Sequence, residues 1–339
     1  MSDVPVNAPS ACPGSGSDAA GKTSACAGCP NQSLCASGEA KKPLSEREPE
    51  LVNSIKKQMA RVRRRIIVLS GKGGVGKTSI SVSLARALSH KIVTDSSGQN
   101  RQLNVGILDL DICGPSVPCM LGALDETVHE SKEGWAPVYI NENLSALSTG
   151  FILTSPDQAL IMRGPRKDAL ISQFLTKALW TDDQSQLDYL VIDTPPGTSD
   201  EILSLVTYLK AADCCDFALV VSTPQDVSLN DVRKSLDFCK KVNLPVLGVV
   251  ENMSDFVCPR CDKTSEIFPR TGGGAEALAA AHSLSLLVKI PIDPRFTRYL
   301  DEGLDPFNFE DQVDESYRIP AEAPVIQSFQ QLVTHVIKF

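Results

Sequence analysis

Residues 66–78, Ile-Ile-Val-Leu-Ser-Gly-Lys-Gly-Gly-Val-Gly-Lys-Thr, decide the fold. An aliphatic run, Ile66–Ser70, reads as a buried strand. It enters a turn built on Gly71, Gly73, Gly74 and Gly76, and a helical pattern begins at Thr78. The stretch fits G-x-x-x-x-G-K-[ST] in the strand–loop–helix setting that this motif requires. Glycines let the backbone N–H groups, that of Val75 among them, wrap a row of phosphates, and the helix N-terminus adds a favourable dipole. Lys77 is then expected to reach the β- and γ-phosphates of ATP, and the Thr78 hydroxyl to ligate Mg²⁺.

Outward from this loop, aliphatic runs alternate with helical patterns. Strands are predicted at Ile66–Ser70, Val105–Asp111, Leu144–Ser148, Tyr189–Asp193, Ala218–Ser222, Val246–Glu251 and Leu286–Ile290. Helices are predicted at Thr78–Leu88, Lys167–Leu179, Glu201–Leu209, Val227–Val242, Ala275–His282 and Val325–Ile337. The alternation indicates an α/β fold, a mostly parallel sheet with helices on both faces, over residues 66–339. Ligands in such sheets bind beyond the carboxyl ends of the strands. Residues 51–65 read as a basic connecting helix, with Val52, Ile55, Met59 and Val62 on one face, and a solvated face is the simplest use of its charges. Residues 1–45 are rich in Gly, Ser, Ala and Pro, and are expected to be disordered unless a metal organises them. Asp95–Leu103 reads as a surface loop.

The chain has 339 residues, 42% of them hydrophobic but only 5% aromatic, so its core must be aliphatic, which suits a sheet buried on both faces. A net charge of −8 argues against non-specific nucleic-acid binding by the whole chain. No apolar run reaches the roughly 18 residues of a membrane span. The N-terminus has neither a secretory pattern nor an Arg-rich presequence, the first arginine being Arg47. The cytosol, and the nucleus as well, is the expected location, with no nucleic acid and no membrane as partner.

Further acidic strand ends support a phosphate site. Leu108-Asp109-Leu110-Asp111 ends one strand, and Val191-Ile192-Asp193 ends another before Thr194-Pro195-Pro196-Gly197. A single aspartate at a strand end is usually a cap, but several beside a phosphate loop place carboxylates at the ligand edge of the sheet. Lys72, the second lysine of the loop, makes the motif resemble the deviant Walker A of the MinD, ParA and nitrogenase-iron-protein superfamily. In that superfamily this lysine reaches a partner's nucleotide, which implies a nucleotide-sandwich dimer. The resemblance places Asp193 at the Walker B position, holding Mg²⁺ through water, and Gly197 at the switch II backbone. Asp109 and Asp111 match switch I, with Asp111 polarising the attacking water and Asp109 supporting the metal. Asn252 and the loop at Pro291 and Asp293 match the positions that hold adenine.

The eleven cysteines fall into groups. Cys12, Cys26, Cys29 and Cys35 are spaced C-x13-C-x2-C-x5-C, a set of thiolates that suits tetrahedral Zn²⁺ or a [4Fe–4S] cluster. Cys258 and Cys261 form a Cys-Pro-Arg-Cys pair. Two thiolates fall short of the four that a metal centre wants. Two chains that each supply a pair across the dimer axis would share one [4Fe–4S] cluster. A redox dithiol or a zinc knuckle are the alternatives. Cys113, Cys119, Cys214, Cys215 and Cys239 lie in or beside aliphatic segments and read as buried small hydrophobes.

Residues 66–78, the Asp109–Pro118 stretch, Met162–Leu175, Asp188–Glu201 and Val250–Cys261 together resemble the Mrp/NBP branch of the P-loop ATPases. The four-cysteine segment is similar to that of the larger cytosolic scaffolds for iron–sulfur assembly. Cys113 stands where many relatives have an aromatic residue, and Asp95–Leu103 looks like an insertion. The resemblance implies an ATPase of low turnover that assembles [4Fe–4S] clusters and hands them to cytosolic and nuclear apoproteins. It implies a homodimer, and a heterotetramer with a smaller paralogous ATPase. The alternative is a membrane- or DNA-associated partitioning ATPase with structural zinc, for which the basic 51–65 segment is the support.

Overall fold

The computed structural model describes residues 12–14, 17–29, 31–95, 98–152, 164–181, 185–258, 260–261, 263–270, 272–309 and 314–339. All seven predicted strands form, and together they make the parallel body of one sheet. They are β1 Val62–Ser70, β2 Val105–Asp109, β4 Leu144–Ser148, β5 Leu187–Asp193, β6 Phe217–Ser222, β7 Val246–Val257 and β9 Leu286–Ile292. The parallel strands lie side by side in the order β9, β7, β6, β1, β5, β2, β4. Short antiparallel strands, β3 (Val138–Tyr139) on β4 and β8 (Thr264–Ser265) on β7, complete the nine-stranded sheet.

Successive residues of β1 point to opposite faces, as strand geometry dictates. Ile66 and Val68 join one apolar layer with Ile80, Leu84 and Leu88 of α2 (Lys77–Ser89) and with the C-terminal helix. Ile67 and Leu69 join the other layer, with Ile55, Phe174, Leu205 and Val232. Those residues belong to α1 (Pro49–Met59), α4 (Gly164–Lys177), α5 (Asp200–Ala211) and α6 (Asp226–Lys241). The remaining helices are α3 (Val117–Met120), α7 (Gly274–Ala281), α8 (Pro294–Asp301) and α9 (Pro324–Lys338). The first strand needs a near-continuous apolar stretch because both of its faces are covered.

Two expectations are corrected. The basic helix ends at Met59, not at residue 65, because Val62–Arg65 pair in register with Leu187–Leu190 as the start of β1. Some of its charges also find partners within the chain. Arg65 is buried, its Nε donating to Asp216 at 2.5 Å and its Nη1 to the carbonyls of Met59 and Val62. Arg61 donates to the Thr181 carbonyl, and Arg64 pairs with Asp216. Lys56, Lys57, Arg63 and Arg64 remain exposed, so the feature that supported a partitioning ATPase on membrane or DNA is internal only at Arg65 and, in part, Arg61. The predicted surface loop at Asp95–Leu103 carries half of a hairpin, Ile92–Thr94 against Asn100–Gln102, from which Arg101 clasps Asp188 with both guanidinium nitrogens at 2.6 and 2.7 Å.

The described residues of the N-terminal segment follow a path of short turns. Helical turns form at Ser24–Cys26, Gln32–Ala36 and Leu44–Arg47, and Ala20, Cys26 and Leu44 are buried. Gly21 lets the chain pack closely against the second of these. Its backbone is left-handed (φ +73°), and a Cβ there would sit 2.3 Å from the Ala36 nitrogen. Residues 1–11 of the predicted extension lie outside the described residues.

Candidate functional site

The carboxyl ends of three neighbouring strands place Ser148, Asp109 and Asp193 in one row, since Asp109 is in register with both others. The phosphate loop leaves β1 two strands along from Asp109. Gly74 and Gly76 adopt left-handed backbone (φ 80° and 82°), which only glycine takes at little cost. Gly71 is needed for a different reason. A Cβ there would lie 2.4 Å from the Asp231 backbone of α6, so the loop could not close against that helix.

Asp193 is the hub. It is wholly buried, and Lys77 Nζ donates to its Oδ1 at 2.6 Å. Thr78 Oγ1 donates to Oδ2 at 2.8 Å, and Ser81 Oγ donates to Oδ1 at 2.6 Å. Thr78 and Asp193, predicted to share Mg²⁺, are therefore adjacent, and the hydroxyl and carboxylate oxygens form the hard donor set that Mg²⁺ prefers. Gly197 N–H donates to the Ser70 carbonyl at 2.9 Å, so the predicted switch II loop closes onto the foot of the phosphate loop. Lys72 is half-buried on the rim, and its carbonyl accepts from the Ser70 hydroxyl.

Asp109 and Asp111 separate by depth. Asp109 is fully buried, accepting from Ser148 Oγ at 2.8 Å and from the Asp111 N–H at 3.0 Å. Burial, and then the nearby Asp193 charge, push its carboxyl up to about 8. Asp111 stands half-exposed at the rim, also raised by burial, with Lys77 working the other way. Only Asp111 is reached by solvent, as a residue that contacts an attacking water must be.

The raised Asp109 value has a sign that can be tested. An unfolded aspartate releases its proton near pH 4. The folded one keeps it to about pH 8. The native state therefore holds the extra proton across this window, and stability falls as pH rises through it. Asp109→Asn is expected to raise the melting temperature of the nucleotide-free chain above wild type by a margin that widens from pH 5 to pH 8, read by scanning calorimetry. A margin constant with pH would show that Asp109 is charged throughout.

At the far side of the loop, Asn252 Nδ2 donates to the Val75 carbonyl at 2.9 Å. Its amide also lies where a Gly76 Cβ would stand, at 2.3 Å. Asn252 is in register with Ile290, next to Pro291, so these two predicted adenine positions meet. Asp293 is otherwise engaged. It caps α8, accepting from the Arg295 N–H at 2.9 Å, and pairs with the Arg295 guanidinium at 2.7 Å. Ser81 and Ser148 were not predicted. Ser81 lies one helical turn after Lys77 on the same face, a spacing that could have marked it. Ser148 closes a predicted strand, and only the register shows that it faces Asp109.

The cysteines form two places. Cys258 follows β7 directly, and the turn to β8 closes with the Cys258 N–H donating to the Lys263 carbonyl at 3.1 Å and the Cys261 N–H to the Cys258 carbonyl at 3.3 Å. The Arg260 N–H, then the Cys261 thiol and N–H, hold the Cys258 thiol below its ordinary range. Backbone donors aimed at sulfur favour the thiolate, the form that binds metal. Cys261 is exposed.

In the N-terminal segment the Thr23 hydroxyl, 3.2 Å from Cys26 Sγ, lowers that thiol. Burial, and then the charges of Cys12, Cys29 and Cys26, raise Cys35. The four thiols are thus close enough to repel one another as thiolates, a repulsion that a bound cation reverses. Among the described residues no three metal-ligating groups are gathered in binding geometry, at either place. Of the cysteines read as buried hydrophobes, Cys214 and Cys239 are buried and Cys215 is half-buried, whereas Cys113 and Cys119 are exposed. Lys167, whose ammonium is raised first by its Glu201 partner at 2.6 Å, also feels the nearby Cys113 thiol.

The sequence profile of the ParA family, described as the NUBPL iron-transfer P-loop NTPases, matches residues 61–326. The chain belongs to this family. Among ParA-family relatives, the cytosolic Fe–S cluster assembly factor NUBP1 homolog of Brugia malayi is 45% identical over 334 residues, 98% of this chain and 100% of that protein. The nucleotide-binding protein of Archaeoglobus fulgidus, solved in complex with ADP, is 32% identical, with a TM-score of 0.59 over 77% of this chain and 98% of that one. The MinD cell division protein of Aquifex aeolicus shares the fold, with a TM-score of 0.51 at 15% identity over 81% of this chain and 98% of that one. As a ParA-family member the chain is a P-loop NTPase. No helix among its described residues is long and apolar enough to cross a membrane.

Proposed function

We propose that this chain is an ATP-dependent scaffold that assembles [4Fe–4S] clusters and transfers them to cytosolic and nuclear apoproteins. The observation that carries the reading is the shared strand β7. It presents Asn252 beneath the phosphate loop and then runs directly into the turn that carries Cys258 and Cys261. The name of the Brugia malayi relative, a cytosolic Fe–S cluster assembly factor, supports both the cargo and the compartment.

In this reading ATP draws Lys77 from Asp193 onto the β- and γ-phosphates, and Thr78 and Asp193 take the Mg²⁺. Asp111 orients the water, while buried Asp109 fixes the Asp111 backbone and stands behind the metal. Gly197 reports the γ-phosphate, Lys72 reaches the partner's nucleotide, and Asn252 and Pro291 flank the base. Asp293 acts indirectly, by capping α8. Hydrolysis is slow and coupled to loading or release, because loss of the γ-phosphate frees the switch loops at the dimer interface.

The Cys12, Cys26, Cys29 and Cys35 set holds a resident [4Fe–4S] cluster, where thiolates supply the charge that the iron requires. The Cys258 and Cys261 pairs of two chains hold the cluster that is delivered. A homodimer suffices for this sharing, and a heterotetramer with a smaller paralogue extends it. Anaerobic reconstitution with iron and sulfide, followed by presentation to an apo-ferredoxin-type acceptor, tests the reading. Charge-transfer absorbance near 400 nm should appear on the scaffold and move to the acceptor faster with ATP. Zinc without sulfide in the purified chain would sink it.

A further inference from the structure

Between the phosphate loop and the thiol-bearing turn, β7 contains a defect. Its ladder with β9 pairs Asn252 with Ile290 and then Phe256 with Ile292, so three residues, 253–255, stand opposite Pro291 alone. Proline has no N–H for the ladder, and a bulge at such a point re-aims the side chains beyond it. Four described non-glycine residues have left-handed backbone. Asp213, Asn243 and Ser283 follow the ends of α5, α6 and α7, where this conformation is ordinary. Met253 (φ 54°) lies inside a strand, which is strained for an unbranched bulky residue. Its Cε lies 3.7 Å from where a Gly76 Cβ would stand, so it touches the phosphate loop beside Asn252.

One side chain pins this bulge. Arg270, beyond the thiol turn, sends Nη2 to the Ser254 carbonyl at 2.9 Å, to Ser254 Oγ at 2.7 Å and to both Asp255 oxygens at 3.2 Å. The same nitrogen and Nε reach Glu251 Oε1 at 3.3 and 3.4 Å. Glu251 is wholly buried, also accepts from Ser254 Oγ, and anchors the α7 N-terminus through the Ala275 N–H at 3.0 Å. Nη1 reaches Glu266, just past β8, at 3.3 Å. The guanidinium therefore clasps both sides of the bulge and both legs of the hairpin that carries Cys258 and Cys261.

We propose that Arg270 and the Met253 bulge form a relay through which nucleotide on the phosphate loop sets the geometry of the Cys258–Cys261 turn, with Arg270 as a positioning residue. The relay rests on the proposed scaffold function for its purpose, but not for its detection. A base or phosphate that changes what Asn252 and Gly76 touch acts on the residue next to Met253. Arg270 converts that change into a shift of the hairpin as one body, instead of letting the bulge absorb it.

The test uses the full-length, metal-free, reduced chain. Iodoacetamide alkylation of Cys258 and Cys261 is followed by mass spectrometry, with and without Mg²⁺ and a non-hydrolysable ATP analogue. The wild-type rate is expected to change about 5-fold or more on nucleotide binding, the lower end of ordinary site–site coupling. In Arg270→Lys and Arg270→Met the dependence should vanish while analogue affinity stays as in wild type. Lysine keeps the charge beside Glu251 but cannot fork, so a role limited to neutralising Glu251 would be rescued by lysine, whereas the clasp would not. If Arg270→Met does not fold, Met253→Gly decides beside Arg270→Lys. Glycine takes the left-handed backbone freely and should uncouple the turn. A wild-type rate indifferent to nucleotide, or a lysine variant with the wild-type ratio, overturns the relay. Iron counting on reconstituted wild type separates the two proposals. Iron on the hairpin without nucleotide dependence removes the relay alone, and dependence without iron removes the cargo and keeps the relay.

Discussion

Lys77→Ala is expected to lower ATP turnover by roughly 10²–10³-fold, the usual loss when one preorganised charge at a reacting phosphate is removed. The variant should also be less stable without nucleotide, which a merely catalytic residue would not be. Lys77 and Asp193 are both buried, and they pair at 2.6 Å. Removing the ammonium leaves Asp193 with the Thr78 and Ser81 hydroxyls alone. Stranding a buried charge costs about 3 kcal/mol or more. A denaturant melt and a phosphate-release assay check the pair of effects. A Lys77→Ala chain that loaded and delivered iron normally would break the proposed coupling, whatever its ATPase rate.

The second large effect concerns metal content. If four iron atoms sit on each N-terminal segment and four are shared by two chains, reconstituted wild type holds about six per chain. The Cys258→Ala/Cys261→Ala double variant should hold about four and deliver none, with nucleotide binding retained. Replacing Cys12, Cys26, Cys29 and Cys35 by alanine should leave about two. Iron and acid-labile sulfide assays, with dimer mass from light scattering, read these numbers directly. A double variant that kept the full complement would show that the hairpin thiols hold no cluster.

Much of this architecture was legible because buried parallel strands have a strong signature. Ile66–Ser70 and Tyr189–Asp193 are apolar on both faces and stop at polar residues, so strand and ligand edge were read together. Boundaries were harder. Arg63–Arg65 continue the helical spacing of Val52, Ile55 and Met59, and nothing local says that Arg65 turns inward to Asp216, a partner 151 residues away. The loop chemistry at Lys77, Thr78 and Asp193 followed from the motif, whereas the Ser148–Asp109 contact depends on the register of strands from separate parts of the chain. The cap that Asp293 makes on α8 was not legible, because a cap and a base contact use the same residue type. The exposure of Cys113 was hidden because a cysteine in an apolar neighbourhood gives no sign of which way it faces.

The N-terminal segment meets the body of the fold at Leu44 and at Asn31. Leu44 is seated in the apolar layer beneath α1, and Asn31 lines a cleft of about 760 Å³ with Lys167, Thr198 and Glu201, the last two just past switch II. Shortening the chain to begin at Pro49 would thus do more than delete four thiols. It would bare a greasy notch at Leu44 and remove one wall of the cleft beside Thr198 and Glu201. A truncated form should therefore not be taken as the intact chain minus four thiols.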